Sequence, residues 1–380
     1  MTVIREPDLA TRGAEEPAVP QSRPSNSVTN RLLDDAVEQV SRFEAWFLHD
    51  KRALHGLSLS RILAGFAVLG MLVTNFSYRS ITFGAGSSWM QPIQQGTAFF
   101  ETKLVENLGA TAFTLFYLLA MLLAVLYIVG WRTKIVGPLM LIGWIAIIES
   151  GAFLGDQGDN VLRVGLILIM FAETSEHWSF DARRRRKAAA QASGSGPANL
   201  LHNIRHSRAL LPAWFSNTVH NLALVALAFQ LVLIYISAGM FKTQGPLWQH
   251  GTALYYPLQL PQYEPIPWLT DLFTHYGVVV GISTYMAVFI QLFFAPLLLN
   301  RITRRIALTF VILLHLGIAV LMALPWFSLA MVAFDAIFVS ASTYIAMERW
   351  LGPRLDPVKT LFWDVTDPIV DRLPFGSRSR

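Results

Sequence analysis

The chain contains no cysteine and few charged residues for its length. Charged residues make up 14% of the 380 positions, against roughly 25% in soluble globular proteins. The lack of cysteine excludes disulfides, thiol catalysis and thiolate metal sites. Hydrophobic residues, in contrast, make up 53% of the chain. This balance predicts a polytopic membrane protein that lies in a lipid bilayer.

The sequence also lacks a phosphate-binding loop, a dinucleotide-binding glycine signature, a serine–histidine triad and a signal peptide. Residues 1–28 are polar and have no apolar periodicity, which predicts a disordered tail. Residues 29–54 carry apolar side chains at helical spacing and predict an amphipathic helix on the membrane surface. We expect a transmembrane domain over residues 55–346 and a cytoplasmic tail over residues 347–380.

Apolar runs inside residues 55–346 predict an all-α bundle of about eight spans. The first run contains Arg61, which we expect to extend to the inner membrane surface. Residues 182–212 begin with a run of four arginines and continue through Ala, Ser and Gly, which predicts a flexible basic loop near anionic lipid.

The positions of the basic residues predict the orientation of the bundle. With eight spans and a cytoplasmic amino terminus, all but four of the 30 Lys and Arg residues fall in cytoplasmic segments, as the positive-inside rule requires. The exceptions are Arg79, Lys103, Arg163 and Lys242. We therefore expect a multi-pass plasma (inner) membrane protein with both termini in the cytoplasm. Because the basic residues lie between apolar runs, the net charge of +5 does not indicate a nucleic-acid partner.

Lys242 is an isolated cation at the end of the fifth apolar run, on the predicted extracytoplasmic side. A buried lysine releases its proton more readily and can act as a general base. A lysine at a helix end can equally extend to the lipid headgroups. Composition alone leaves both interpretations open.

The segment after Lys242 is interrupted by proline and rich in aromatic residues. It is too broken for a full span, and irregular backbone at membrane depth persists only where protein covers it or where it lines a cavity. We therefore predict a re-entrant or lid-like extracytoplasmic segment, with an aromatic belt at the interface as the alternative. The candidate substrate-binding residues here and just before it are Tyr235, Trp248, Tyr255 and Tyr256.

Ionisable side chains within the apolar runs are costly and are functional candidates. The sequence places Glu149, Arg163, Asp335 and His315 there. We expect a structural charge network in which Arg163 pairs with Glu149 or Asp335, and a catalytic role is the alternative. No metal site is predicted, because His177 and the i, i+4 pair His202 and His206 lack a supporting carboxylate.

Several short motifs, taken in order, resemble the horizontally transferred transmembrane (HTTM) family, whose best-known member is the vitamin K-dependent gamma-glutamyl carboxylase. They cover about residues 55 to 345. The motifs are Gly130-Trp-Arg-Thr-Lys134, Gly158-Asp-Asn160, Trp178-Ser-Phe-Asp181, Tyr235-Ile-Ser-Ala-Gly-Met-Phe-Lys242, Trp248-Gln-His-Gly251, Asn300-Arg-Ile-Thr-Arg304, His315 and Pro325-Trp-Phe327.

The resemblance implies that Lys242 is a catalytic base that deprotonates a reduced, vitamin K-like quinone. It also implies that Asn160 and His250 belong to the catalytic site, beside Trp248. The carboxylase has a histidine where Asn160 is the nearest match, two adjacent lysines where this chain has Phe241 and Lys242, and a large soluble region that this chain lacks.

Three functions therefore remain open. The first is a carboxylase-like lyase, or another membrane enzyme that acts on a quinone or lipid-like substrate. The second is a non-catalytic module for the maturation, export or immunity of a small peptide, as in bacterial members of the family. The third is a transporter. An enzyme predicts an enclosed apolar pocket with Lys242 pointing inward, whereas a peptide-handling module predicts a groove with Lys242 facing solvent or headgroups.

Overall fold

The computed structural model describes residues 28–90, 105, 108–151, 154–191 and 212–372. The predicted disordered tail, residues 1–28, lies outside the described residues except for Val28. The last eight residues of the chain also lie outside them. Within the described residues all regular structure is helical. The chain forms two compact units, residues 1–46 and residues 47–380. The described part of the first unit belongs to the first helix.

The principal helices are α1 (Val28–Leu48), α2 (Leu54–Thr74), α3 (Ala110–Val129), α4 (Thr133–Ser150), α5 (Gln157–Met170), α6 (Phe180–Gln191), α7 (Ala213–Gln244), α8 (Pro267–His275), α9 (Gly277–Leu292), α10 (Arg301–Leu321), α11 (Pro325–Asp335) and α12 (Ala341–Arg372). The predicted all-α membrane bundle is confirmed.

Five helices in the described residues, α2, α3, α4, α7 and α10, are long and apolar enough to cross a membrane. Two bent pairs raise the number to seven if each forms one span. These are α8 with α9, bent by 90°, and Pro325–Phe338 with the first part of α12, bent by 110°. The fourth predicted span corresponds to α5, whose 14 residues reach only about 21 Å at 1.5 Å per residue. The number of spans stays a prediction.

The core forms where α11 packs against α2, α5 and α10. Glycine makes two of these close approaches possible. A Cβ atom on Gly165 of α5 would lie 2.3 Å from the ring of Phe334, and one on Gly56 of α2 would lie 2.6 Å from the carbonyl oxygen of Ala336. Small residues commonly allow such contacts between membrane helices, where van der Waals packing drives association.

Arg61 does not extend to the membrane surface, so that prediction is wrong. Its guanidinium is fully buried and donates to four backbone carbonyls. The acceptors are the carbonyls of Thr174 at 3.0 Å, Tyr127 at 2.5 Å and Trp178 at 2.9 Å, together with the carbonyl of Ile128. Tyr127 and Ile128 belong to the last turn of α3, whose carbonyls have no partner within the helix. Arg61 therefore joins α2 to the end of α3 and to the segment after α5.

Residues 182–191 are helical and not a flexible loop, so this part of that prediction is wrong. Asp181 fixes the start of α6. It accepts hydrogen bonds from the backbone nitrogens of Arg132 and Thr133 at 2.9 and 2.8 Å, and from Arg184 at 2.8 Å. Alanine, arginine and lysine are good helix formers, and a run of basic charge does not by itself indicate a loop. Residues 192–211 lie outside the described residues.

The last helix also differs from the sequence expectation. The apolar run predicted as the eighth span breaks after Phe338, and α12 continues to Arg372 through most of the predicted tail. At the other end of the chain, α1 stops at Leu48, six residues before the predicted end of the surface helix.

Glu173, in the segment after α5, is the centre of a charged cluster. Its carboxylate lies 3.5 Å from Lys134, 3.8 Å from Lys51 and 3.8 Å from Arg185, and it accepts a hydrogen bond from Ser175 at 2.7 Å. Burial alone would raise the pKa of Glu173, but Lys134, Ser175, Arg185 and Lys51 together lower this pKa to about 2. The carboxylate therefore stays charged at neutral pH.

Replacement of Glu173 by glutamine should destabilise the fold by about 2 to 3 kcal/mol at pH 7. Removal of one partner from a fully buried ion pair lowers the free energy of unfolding by about 3 to 5 kcal/mol. The effect is smaller here because solvent screens the exposed Lys134. Because the pKa is lower in the folded state, the contribution of Glu173 is complete above the unfolded pKa of 4.5 and is lost as the pH falls toward 2.

Thermal unfolding in detergent between pH 7 and pH 3 checks this prediction. Glu176→Gln is the matched control, since Glu176 also pairs with Arg185 but is 45% exposed. We expect Glu176→Gln to change stability by less than about 1 kcal/mol. Equal effects of the two variants would contradict the central role of Glu173.

Candidate functional site

The chain that follows α7 is built from short turns, as its prolines predict. Helical turns span Pro246–Gln249, Tyr255–Leu258 and Pro261–Tyr263, and α8 then meets α9 at 90°. Proline lacks a backbone N–H and ends helices, which explains the repeated breaks. A broken span and a re-entrant loop both fit the bend between α8 and α9, so the re-entrant path stays a prediction.

Lys242 lies two residues before the end of α7, and its side chain is partly exposed. The ammonium lies 3.4 Å from the carbonyl oxygen of Ala238, one turn earlier, and 5.2 Å from the centre of the Trp248 ring. A cation at a helix carboxyl terminus interacts favourably with the helix dipole, and a cation over an indole is attracted to the ring face. Both contacts hold the ammonium beside its own helix end.

The other two predicted catalytic residues are not brought together with Lys242. Asn160 is exposed on α5, and its amide donates to the side chain of Gln157 at 3.3 Å. His250 is exposed and follows the turn Pro246–Gln249. Among the described contacts, none joins Lys242 to the side chain of Asn160 or His250.

Two of the predicted binding residues, Tyr255 and Tyr256, are exposed in the segment of short turns between α7 and α8. Their rings pack edge to face with centres 5.7 Å apart. Trp268 and Tyr276 of the neighbouring α8 region are also exposed. The segment therefore presents aromatic side chains outward, where an interfacial belt or a ligand would meet them.

Tyr235 lies in a buried polar cluster with Asp335 and His315. Its hydroxyl donates to the Asp335 carboxylate at 2.7 Å and lies 3.4 Å from the Nε2 atom of His315. All three side chains are buried, and Asp335 Oδ1 and His315 Nδ1 have no hydrogen-bond partner among the described residues. Tyr235 thus contacts Asp335 within the bundle, and its proposed role in substrate binding stays a prediction.

The four intramembrane ionisable groups divide into two sets. Arg163 of α5 forms a buried ion pair with Glu149 of α4. Asp335 accepts its hydrogen bond from Tyr235, beside His315. The expected pairing of Arg163 with an acidic side chain is thus present with Glu149.

The described residues form an apolar cavity and a more polar one. An apolar cavity of about 290 Å³ lies between α9 and α10, with Leu254, Pro257 and Leu258 among its lining residues. A more polar cavity of about 470 Å³ lies between the end of α2, the start of α5 and the start of α11. The second cavity is lined by Asn75, Tyr78, Asp156, Asp159, Trp326 and Phe327, among others. Lys242 lines neither cavity.

A third group was missed by the sequence reasoning. His55 at the start of α2, His177 in the segment after α5 and Glu348 in α12 place their ligand atoms within 4.8 Å of one another. The two imidazole rings stack with centres 3.6 Å apart. More than a hundred residues separate each pair of these positions in the chain, so no local spacing could have identified the group.

Comparison with known proteins agrees with the helical membrane architecture. Residues 208–342 match the HTTM domain. The sporulation-delaying protein SdpB of Bacillus subtilis (strain 168) is 25% identical over 305 residues, which cover 78% of this chain and 84% of SdpB. No solved structure matches the chain. Over residues 208–342 the chain is therefore similar to HTTM-domain proteins, in agreement with its multi-pass helical fold.

Proposed function

We propose that this protein is a membrane module that handles a small peptide at the extracytoplasmic face of the plasma (inner) membrane, with both termini in the cytoplasm. The observation that carries the proposal is the position of Lys242. Its partly exposed ammonium lies over Trp248 and beside a backbone carbonyl of its own helix, outside both cavities.

A lysine that acts as a general base needs its nitrogen within hydrogen-bond reach of the substrate proton, about 2.6 to 3.2 Å, in a site that excludes water. Neither of the two cavities described above includes Lys242 among its lining residues. The two residues expected to assist it, Asn160 and His250, are exposed. These features favour a role in contact and anchorage over a role in deprotonation.

The surface formed by the segment between α7 and α9 suits a peptide ligand. Exposed Tyr255, Tyr256, Trp268 and Tyr276 offer apolar rings, and tyrosine and tryptophan also carry polar groups for hydrogen bonds to a peptide backbone. The name of the SdpB relative, sporulation-delaying protein, describes a bacterial physiological role and no quinone chemistry.

A clustering of basic side chains supports the proposed orientation. Lys51, Lys134 and Arg185 all surround Glu173, although they come from three separate segments of the chain. One end of the bundle therefore concentrates positive charge, as cytoplasmic ends of membrane proteins do. Lys242 in the last turn of α7 and Trp248 in the turn that follows belong to a different part of the bundle.

Photocrosslinking in native membranes tests the proposal. A photoreactive phenylalanine analogue placed at Tyr256 should give a covalent peptide adduct of a few kilodaltons, identified by mass spectrometry. Phe229 is the matched control, because it is also an exposed aromatic residue but lies in the middle of α7. We expect lipid adducts only at Phe229, and identical lipid adducts at both positions would overturn the proposal.

The apolar cavity favours a second candidate, a carboxylase-like enzyme that uses a reduced quinone. The cavity between α9 and α10 is about 290 Å³, close to the lower end of the volumes of small-molecule sites, and its apolar wall would suit an isoprenoid chain. An isoprenoid adduct at Tyr256, instead of a peptide adduct, would replace the peptide proposal with this enzyme. Lys242→Ala should then abolish turnover.

A further inference from the structure

The group formed by His55, His177 and Glu348 includes no residue of the segment that follows α7, and it has no role in the proposed function. His55 begins the first membrane helix, His177 lies in the segment after α5, and Glu348 lies in the last helix. The ligand atoms of the three side chains lie within 4.8 Å of one another. Two imidazoles and one carboxylate are a common ligand set for zinc, whereas calcium and magnesium prefer oxygen ligands alone.

We propose that His55, His177 and Glu348 bind a divalent transition-metal ion of the zinc class. Three protein ligands leave the fourth tetrahedral position open for water. The ion would connect the start of α2 to α12 beyond the 110° bend that separates α12 from α11. A metal at this place would therefore hold the last helix against the first membrane helix.

The ligand distances allow the site to close around an ion. Zinc bonds of about 2.0 to 2.2 Å in a tetrahedral site place ligand atoms about 3.4 Å apart, so the group must contract by up to about 1.4 Å. Glu348 is exposed and can supply much of this movement by a change of rotamer. The stacked rings of His55 and His177 must splay, because the nitrogen lone pairs of parallel rings do not converge on one point.

Neighbouring contacts fix the places of the ligands. The backbone nitrogen of His177 donates to Ser58 Oγ, one turn after His55, at 3.2 Å. The next residue, Trp178, has a left-handed backbone with φ of 49°, and its carbonyl accepts from Arg61. Tyr344 lies one helical turn before Glu348 and stacks on His55 with ring centres 5.8 Å apart, which brings Glu348 toward the two histidines.

Cobalt titration tests the site with the full chain in detergent, purified without a polyhistidine tag and stripped with a chelator. Co²⁺ alone should give the visible absorption of a four-coordinate ion at one equivalent, and Zn²⁺ should displace it. Glu348→Gln and His177→Ala should each weaken binding by at least about tenfold, since even the loss of outer-shell partners weakens metal sites by about 10- to 100-fold.

The matched control is the double variant His202→Ala with His206→Ala, which removes the i, i+4 histidine pair of the sequence and should leave binding unchanged. Glu348 is exposed, so Glu348→Gln should keep the metal-free unfolding temperature and separates ligand loss from misfolding. Wild-type affinity in either Glu348→Gln or His177→Ala would overturn the proposal. So would loss of binding in the control alone, or the absence of a cobalt spectrum in the wild-type protein.

Discussion

Leucine in place of Arg61 is expected to remove most of the folded protein from detergent extracts. Arg61 is fully buried and donates to four backbone carbonyls. The carbonyl of Tyr127 would keep its bond from the Gly130 nitrogen, but leucine would remove the described donor from the other three carbonyls, and each buried unsatisfied group costs about 1 to 3 kcal/mol. With partial relaxation we expect a loss of about 4 kcal/mol or more, a large share of a typical folding free energy of about 5 to 15 kcal/mol.

Size-exclusion chromatography and thermal unfolding measure the effect. Arg61→Lys keeps the charge but should rescue little of the stability, because one ammonium cannot match the planar fork that donates to four carbonyls in two separate segments. Arg354→Leu is the matched control, since exposed Arg354 contacts only the carbonyl of Trp350, one turn earlier, among its described hydrogen bonds. Full stability of Arg61→Lys would show that charge, and not the carbonyl contacts, accounts for the burial of Arg61.

The burial of Arg61 illustrates which part of the fold the sequence could predict. Apolar run length depends on local composition, so the all-α membrane bundle was predictable before any contact was known. The partner of a lone arginine depends on residues far away in the chain. Thr174 and Trp178 lie more than a hundred residues beyond Arg61, and an arginine that reaches the lipid headgroups would have the same local sequence.

The candidate site shows the same division between local and distant contacts. Lys242 and Trp248 lie six residues apart, and their contact agrees with the expectation that both belong to one segment. The cluster of Tyr235, His315 and Asp335 draws on three helices. Sequence patterns identified His315 and Asp335 as unusual, because an ionisable side chain in an apolar run is rare, but could not show that Tyr235 is the partner of Asp335.

The buried ion pair of Arg163 with Glu149 yields the second large prediction. Both side chains lie in the bundle with less than a tenth of their surface exposed. Glu149 is the described ion-pair partner of Arg163 in a region of low dielectric, and the loss of one partner of a buried pair destabilises a protein by about 3 to 5 kcal/mol. We therefore expect Glu149→Gln to lower the free energy of unfolding by about 4 kcal/mol, measured by denaturation in mixed micelles.

A double-mutant cycle separates the pair interaction from the effects of each side chain. The variant with both Glu149→Gln and Arg163→Gln should be more stable than the sum of the single losses predicts, by up to about 3 kcal/mol. In this variant both charges of the pair are removed, so neither remains in the bundle without the other. Additive losses would show that the pair itself contributes nothing.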